Sequence, residues 1–187
     1  MLVSQGDQRA ADSTIAAVQR AIDEIFARLD ALCACSSDEL HHRPAYPGAW
    51  TVAEHLEHAS LVNHFLLLTI GKGVAVALRR ARTQPIPSGE SDLARLVPIG
   101  DPDAFPWEPP AHMIPTGTKP VHEVRALLNS QHEQCLGLLE RMVQGEGRLS
   151  SFHMSVYGLG KLDMYQWLFF LARHGHWHLE FLARRAG

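Results

Sequence analysis

The sequence has little net charge, few cysteines and no long apolar run. Its net charge of −3 and pI near 6.4 provide no basic field for nucleic acid or anionic lipid, so we expect neither nucleic acid nor a membrane as partner. Cys33, Cys35 and Cys135 fit no disulfide framework, which favours a reducing compartment. No uninterrupted apolar run approaches the roughly 20 residues of a membrane span, and the N-terminal segment does not resemble a signal peptide. We therefore expect a cytoplasmic protein.

The length and composition are those of one globular domain. The chain has 187 residues, of which 46% are hydrophobic and 20% charged. These values are near the averages for soluble proteins, and the length allows a sizeable core. We predict a single domain over residues 1–187.

Apolar residues recur at helical spacing in four segments, and no segment is typical of a strand. Thr51 is an N-cap for the second helix, with Glu54 three residues later as its capping-box partner. The last helix is apolar around nearly its whole circumference, so we expect it to be the most buried. The predicted helices span about residues 12–33, 52–82, 121–143 and 162–184.

A long proline-rich segment separates the second and third helices. Nine of the eleven prolines lie between Thr83 and Pro120, which excludes a continuous helix there. Loops of this length are usually lids or disordered, and Phe105, Trp107 and Met113 favour a packed lid. The fold expected is an all-α four-helix bundle with a long crossover between helices 2 and 3.

Twelve histidines are the main oddity of the composition, and two groups of them stand out. His174 and His178 lie about 40° apart on one helix face, so both could bind one metal ion, whereas His176 points about 160° away. For an isolated pair, two helical histidines satisfied by hydrogen bonds are the better explanation. A third histidine from the second helix would complete a three-ligand set with open positions. Periodicity slightly prefers His55 over His58 for this ligand.

Two sequence motifs match the patterns of one known family. The first is the stretch Trp50-Thr51-Val52-Ala53-Glu54-His55-Leu56-Glu57-His58, which is similar to the pattern W-[ST]-[VI]-x-E-x-L-x-H. The second runs from Tyr157 to Leu168 and is followed by His174 and His178, similar to the pattern H-x-x-x-H-x-x-Q. Both motifs resemble those of the DinB-like, YfiT-type superfamily of metal-binding four-helix bundles. The resemblance implies that His58, His174 and His178 are the metal ligands. One departure is Phe181, which stands where many relatives have glutamine.

The resemblance also implies a function class. Members are described as dimeric bundles that bind zinc, nickel or other divalent ions. Some are thiol S-transferases that use bacillithiol, others are mycothiol-dependent isomerases, and many have no established activity. We therefore expect a metal-dependent thiol S-transferase or hydrolase acting on a small molecule, with a low-molecular-weight thiol as a further cofactor. A non-catalytic metal- or small-molecule-binding bundle is the alternative, and a structural metal is a third reading.

Two further expectations concern Glu54 and the oligomeric state. Glu54 lies one turn before His58 and could orient that histidine or act as a catalytic base, although its capping role alone would explain it. A homodimer could form through the apolar last helix, unless that surface is filled within one chain. Tyr157, Trp167 and Trp177 are expected in the core or at an interface.

Overall fold

The computed structural model describes residues 5–105 and 107–185, and helices dominate this part of the chain. Four long helices correspond to the four predicted ones, and a short helix precedes the second of them. The predicted all-α fold is confirmed. The helices are α1 (Gln5–Cys33), α2 (Ser37–His41), α3 (Val52–Ala81), α4 (Val121–Glu140) and α5 (Met164–Arg185).

The four long helices pack as a bundle in which α1 and α3 lie on a diagonal. Each of these two helices packs against both α4 and α5. As a result, the two histidine-rich helices α3 and α5 are direct neighbours. α5 also passes very close to α1, since a Cβ added at Gly175 would lie 2.7 Å from Cγ1 of Ile25. The glycine between His174 and His176 therefore allows this close packing.

The predicted start of α3 is confirmed. The Thr51 hydroxyl accepts a hydrogen bond from the Glu54 backbone N–H at 3.2 Å, and the Glu54 carboxylate accepts one from the Thr51 N–H at 2.7 Å. Other helix ends differ from prediction by a few residues: α1 already begins at Gln5, and α4 ends at Glu140. Helix ends depend on tertiary contacts that periodicity does not report.

A small β-hairpin precedes α5, and the expectation that the chain has no strand was wrong here. β1 (Ser151–Met154) pairs antiparallel with β2 (Gly160–Asp163), with Phe152 opposite Leu162. Both strands have only four residues, too few for an alternating pattern to stand out. Leu162 was expected to begin the last helix, but it lies in β2 and α5 begins at Met164.

α5 has the largest buried share of the long helices, as predicted: 13 of its 22 residues are buried, against 13 of 30 in α3. Its apolar surface is therefore covered mainly within one chain, which removes the reason for expecting a dimer through it. The homodimer stays a prediction.

The segment between α3 and α4 packs against the bundle, as expected for a lid. It contains two short 3₁₀ helices, Ala94–Gly100 and Ala111–Met113. Leu96 and Ile99 are fully buried, and the first 3₁₀ helix packs against α5. The second contacts α3, and residues 111–118 are called the lid segment below.

Within the described residues, α3 alone is long and apolar enough to cross a membrane, with a mean hydropathy of 1.7 over its most apolar window. The core helix of a water-soluble bundle meets the same criterion. In this fold α3 packs against α1, α4 and α5. The expectation of no membrane partner stays a prediction.

Candidate metal centre

Three buried histidines from two helices converge at one point. His58 of α3 and His174 and His178 of α5 each bring one ring nitrogen to within 4.8 Å of the other two. The Nε2 atoms of His174 and His178 are 3.4 Å apart. Nitrogens that share a metal ion at about 2.1 Å lie about 3.0 to 3.4 Å apart, so this spacing suits a common ion.

A backbone carbonyl orients His58. Its Nδ1 lies 2.6 Å from the carbonyl oxygen of Met113 in the lid segment. Because a carbonyl oxygen only accepts, Nδ1 carries the proton and Nε2 has a free lone pair. Metal-binding histidines are typically held in this way, by a hydrogen bond from the nitrogen that faces away from the ion.

His55 supports the cluster from the side. Its Nδ1 lies 2.9 Å from Nδ1 of His178. If His178 binds an ion through Nε2, its Nδ1 carries a proton that it donates to His55. Periodicity preferred His55 as the third ligand, whereas the structure brings His58 into the group and places His55 against His178. Ligation itself stays a prediction.

Phe181 offers no hydrogen bond at the position where the family pattern has glutamine. Its ring stacks on Trp177 at a centroid distance of 5.0 Å and lies 5.5 Å from the ring of His55. Nδ1 of His178 instead faces Nδ1 of His55 at 2.9 Å. His178 thus has a polar partner, and α3 supplies it rather than residue 181.

Burial keeps the imidazoles of the cluster neutral. It lowers the pKa of His174 to about 3 and that of His55 to about 4, and repulsion from His58 adds to both shifts. Burial also lowers the pKa of His58, despite the Met113 carbonyl, and holds that of His178 well below its usual value. Only the neutral imidazole has a lone pair for a metal, so the cluster is in the binding form at neutral pH.

Hydrogen bonds to other parts of the chain that the structure describes do not satisfy the ring nitrogens of His174 and His178. Within the described residues, their ring nitrogens have only other histidines as hydrogen-bond partners. Nδ1 of His174 and Nε2 of His55 are buried with no partner there at all. An ion between the facing Nε2 atoms of His174 and His178 would give both nitrogens a common partner, although it would leave Nδ1 of His174 and Nε2 of His55 unpaired. Three imidazoles suit zinc, nickel, copper or iron.

Glu54, predicted as a catalytic residue, is engaged by two partners. One carboxylate oxygen caps α3 through Thr51, and the other accepts a hydrogen bond from Arg43 at 2.6 Å. Burial raises the pKa of this carboxyl, but the hydrogen bonds from Arg43 and Thr51 outweigh burial, so the pKa lies below its ordinary value. A carboxylate of this kind is a weak base.

Glu57 lies near the centre, and no sequence pattern had pointed to it. It is 3% exposed, and its carboxylate accepts hydrogen bonds from the backbone N–H groups of Thr116 and Gly117 and from the Thr116 hydroxyl, at 2.8 to 3.1 Å. Gly117 has a φ of +69°, a backbone conformation that favours glycine. Glu57 and His58 are thus adjacent residues that both hold the lid segment.

The cluster lies at the wall of a large cavity. The cavity has a volume of about 1010 Å³ and is lined by the three histidines together with His55. Trp167, Trp177 and Tyr157, expected in the core or at an interface, also line it. Ligand pockets of drug-sized molecules have volumes of roughly 300 to 1,000 Å³, so the cavity can hold a small-molecule substrate.

Other candidate ligands lie outside the cluster. His176 contacts the Gly100 carbonyl and Glu180, away from the three histidines, as predicted. Within the described residues, no cysteine belongs to a group that could hold a metal. Cys33 and Cys135 are buried, and burial raises their pKa to about 11 and about 12, so neither is a reactive thiolate.

Comparison with known proteins gives one match. The family model of the DinB superfamily matches residues 14–182, which include all three histidines of the cluster. No curated protein and no solved structure matches the chain. Since the family model covers most of the sequence, the chain belongs to the DinB superfamily.

Proposed function

We propose that this protein is a metal-dependent enzyme in which His58, His174 and His178 hold a divalent ion, with zinc and nickel the first candidates. The proposed reaction is transfer of a low-molecular-weight thiol, of the bacillithiol or mycothiol type, to an electrophilic small molecule, with hydrolysis as the variant that uses water. One observation carries the proposal: three buried, neutral imidazoles converge at the wall of a cavity of about 1010 Å³.

The residues of the chain set the conditions for this chemistry. A divalent ion with neutral ligands keeps its full charge, which lowers the pKa of a bound water to about 7 and deprotonates a bound thiol. The Met113 carbonyl fixes the ring of His58, and His55 fixes that of His178. The ring of Trp50 lies 5.0 Å from that of His58, so apolar surface limits the access of water to the cluster.

Turnover with a thiol and an electrophilic substrate tests the proposal. The protein is purified without a histidine tag, its metal content is measured, and a panel of thiol acceptors and esters is assayed. We expect turnover that His178→Ala abolishes, while the circular dichroism spectrum is unchanged. His176→Ala is the matched control, because it removes a histidine of the same helix that lies outside the cluster. A metal-loaded protein with no turnover on any member of the panel would contradict the enzyme.

The role of Glu54 as a base stays a prediction, and Glu54→Gln separates it from capping. If Glu54 moves a proton, the variant keeps its metal and loses most of its turnover. If Glu54 only caps α3 and pairs with Arg43, the variant retains its turnover. Its free energy of unfolding is then lower by about 1 kcal/mol, which a lower Tm reports.

The second candidate is a non-catalytic bundle that binds a metal or a small molecule. The observation in its favour is that Glu54 and Glu57, the carboxylates of α3 next to the cluster, are both occupied by hydrogen bonds. Chelation distinguishes the readings. A lost activity with an intact fold supports the enzyme, whereas a large loss of stability supports a structural ion.

A further inference from the structure

Aromatic side chains form the wall of the cavity around the histidine cluster. The ring of Trp50 lies 5.0 Å from that of His58, the ring of Trp107 5.4 Å from that of His174, and the ring of Trp177 5.0 Å from that of His178. A molecule that reaches the cluster therefore lies between aromatic faces, which favour a flat, apolar body. The aromatic lining residues of the wall include Trp50, Phe65, Trp107, Phe170, Trp177 and Phe181.

One face of α5 carries both the cluster histidines and the positively charged Arg185. His174, His178, Phe181 and Arg185 follow one another at spacings of four, three and four residues, so they share a helix face. All four line the cavity. His178 and Arg185 are seven residues apart, which is about 10 Å along the helix axis. The distance is close to the length of two linked aromatic rings.

Arg185 and its neighbour Arg184 are placed differently. Arg184 pairs with Asp101 and Asp103. The guanidinium carbon of Arg185 instead lies 4.4 Å from the centre of the Tyr46 ring and 4.6 Å from that of Phe181. Within residues 5–105 and 107–185, no carboxylate pairs with Arg185. Its N–H donors are therefore available to an anion at the mouth of the cavity.

The charged groups of the lining are few. Within the described residues that line the cavity, Arg185 is the one arginine or lysine and Glu108 the one carboxylate. Glu108 is exposed and follows Trp107 in the loop, so it belongs to a different wall from α5. The cavity wall formed by α5 thus combines aromatic rings with one positively charged side chain, that of Arg185.

We propose that the cavity binds an elongated aromatic acid. Its aromatic body lies along Trp177 and Phe181, its anionic group contacts Arg185, and its other end points toward the histidine cluster, in the direction of the N-terminus of α5. That this ligand is the substrate rests on the function proposed above, whereas its binding does not.

Calorimetric titration with three matched probes tests this proposal. 4-Biphenylacetate carries the anion, 4-biphenylacetamide is its neutral counterpart, and 4-phenylbenzylamine is cationic. We expect the acid to bind about fivefold more tightly than the amide, as for a partly exposed ion pair, and the amine to bind most weakly. The advantage of the acid should shrink at high salt. Equal binding of acid and amide, tighter binding of the amine, or binding of none of the three would overturn the proposal.

Substitutions of single arginines test whether the carboxylate of the bound acid contacts Arg185. Arg185→Gln should abolish the advantage of the acid over the amide and leave the affinity for the amide unchanged. Arg185→Lys should keep most of the advantage of the acid, because it keeps the positive charge. Arg141→Gln is the control, since it removes one positive charge at an exposed position at the end of α4, outside the cavity lining. An advantage that survives Arg185→Gln, or that Arg141→Gln removes equally, would show that Arg185 does not bind the anion.

Titrations of the metal-loaded and the chelator-treated full chain separate this inference from the proposed function. Selective binding of the acid by both forms, together with no turnover on any substrate, would support the inference and contradict the enzyme. Turnover on thiol acceptors without selective binding of the acid would contradict the inference and leave the enzyme standing.

Discussion

The histidine pairs of α3 and α5 differ in spacing and in how many of their members enter the cluster. His174 and His178 are four residues apart and both enter the cluster, with their Nε2 atoms 3.4 Å apart. His55 and His58 are three residues apart, and only His58 enters it, while His55 contacts His178 from the side. A histidine of α3 is therefore a ligand candidate when its ring nitrogen points into the cluster, as in His58. It is a supporting partner when its ring nitrogen contacts another histidine of the cluster, as in His55. The predictions below test this division.

Removal of a cluster histidine should have the largest effect on metal binding. His174→Ala on α5 and His58→Ala on α3 should each weaken metal affinity by more than about 100-fold, because loss of a supporting partner alone costs roughly 10- to 100-fold. Titration of tag-free, chelator-treated protein with zinc measures this. His176→Ala should bind like the wild type. If His58→Ala also bound normally, α3 would supply no ligand.

Replacement of His55 should have a smaller effect. His55→Phe keeps the ring shape and removes the acceptor for the Nδ1 proton of His178, so that proton is buried without a partner. We expect metal affinity to fall about 10-fold, with three ligands still present. The same titration applies, and an effect as large as that of His174→Ala would make His55 a ligand rather than a supporting partner.

The cluster should make the metal-free fold sensitive to acid. In the folded chain the pKa of His55 is about 4 and that of His174 about 3, whereas unfolded histidine has a pKa of about 6.5. Between pH 6.5 and 4 the unfolded chain binds protons that the folded chain does not. Stability should therefore be full above pH 6.5 and fall below it, by about 1.4 kcal/mol per pH unit for each histidine.

Urea unfolding of chelator-treated protein between pH 4.5 and 7.5 measures this sensitivity. His55→Phe should flatten the slope by the share of one histidine, and His176→Ala should not. An unchanged slope in His55→Phe would mean that His55 titrates normally in the folded chain.

Glu57 should contribute mainly to the stability of the lid segment. Glu57→Gln keeps the shape but replaces one acceptor oxygen with an amide that cannot accept from Thr116 or Gly117. We expect a loss of about 1 to 3 kcal/mol in the free energy of unfolding and faster amide exchange in residues 111–118. Metal affinity should change by only a fewfold. Unaltered exchange in the lid segment would show that Glu57 does not hold it.

Features set by local sequence were predicted well. The capping box of Thr51 and Glu54 and the helical spacing of apolar residues act within one or two turns, so the four long helices followed from the sequence. The four-residue hairpin strands were missed because they are too short for a pattern. The four-residue spacing of His174 and His178 predicted that both lie on one face of α5, and both enter the cluster.

Features that depend on distant contacts could not be predicted from spacing. Periodicity slightly preferred His55, and only the position of α5 shows that His58 enters the cluster while His55 contacts His178. Glu57 could not be selected from the sequence because its partners, Thr116 and Gly117, lie about 60 residues away. The aromatic cavity wall likewise depends on where the loop around Trp107 packs.

Anomalous scattering from crystals of tag-free protein, measured on both sides of a metal absorption edge, tests the central claim most directly. We predict a single strong peak at about 2.1 Å from Nε2 of His58 and from one ring nitrogen each of His174 and His178. A structure of metal-supplemented protein with no peak among these three rings, or with the peak bound by other residues, would contradict it.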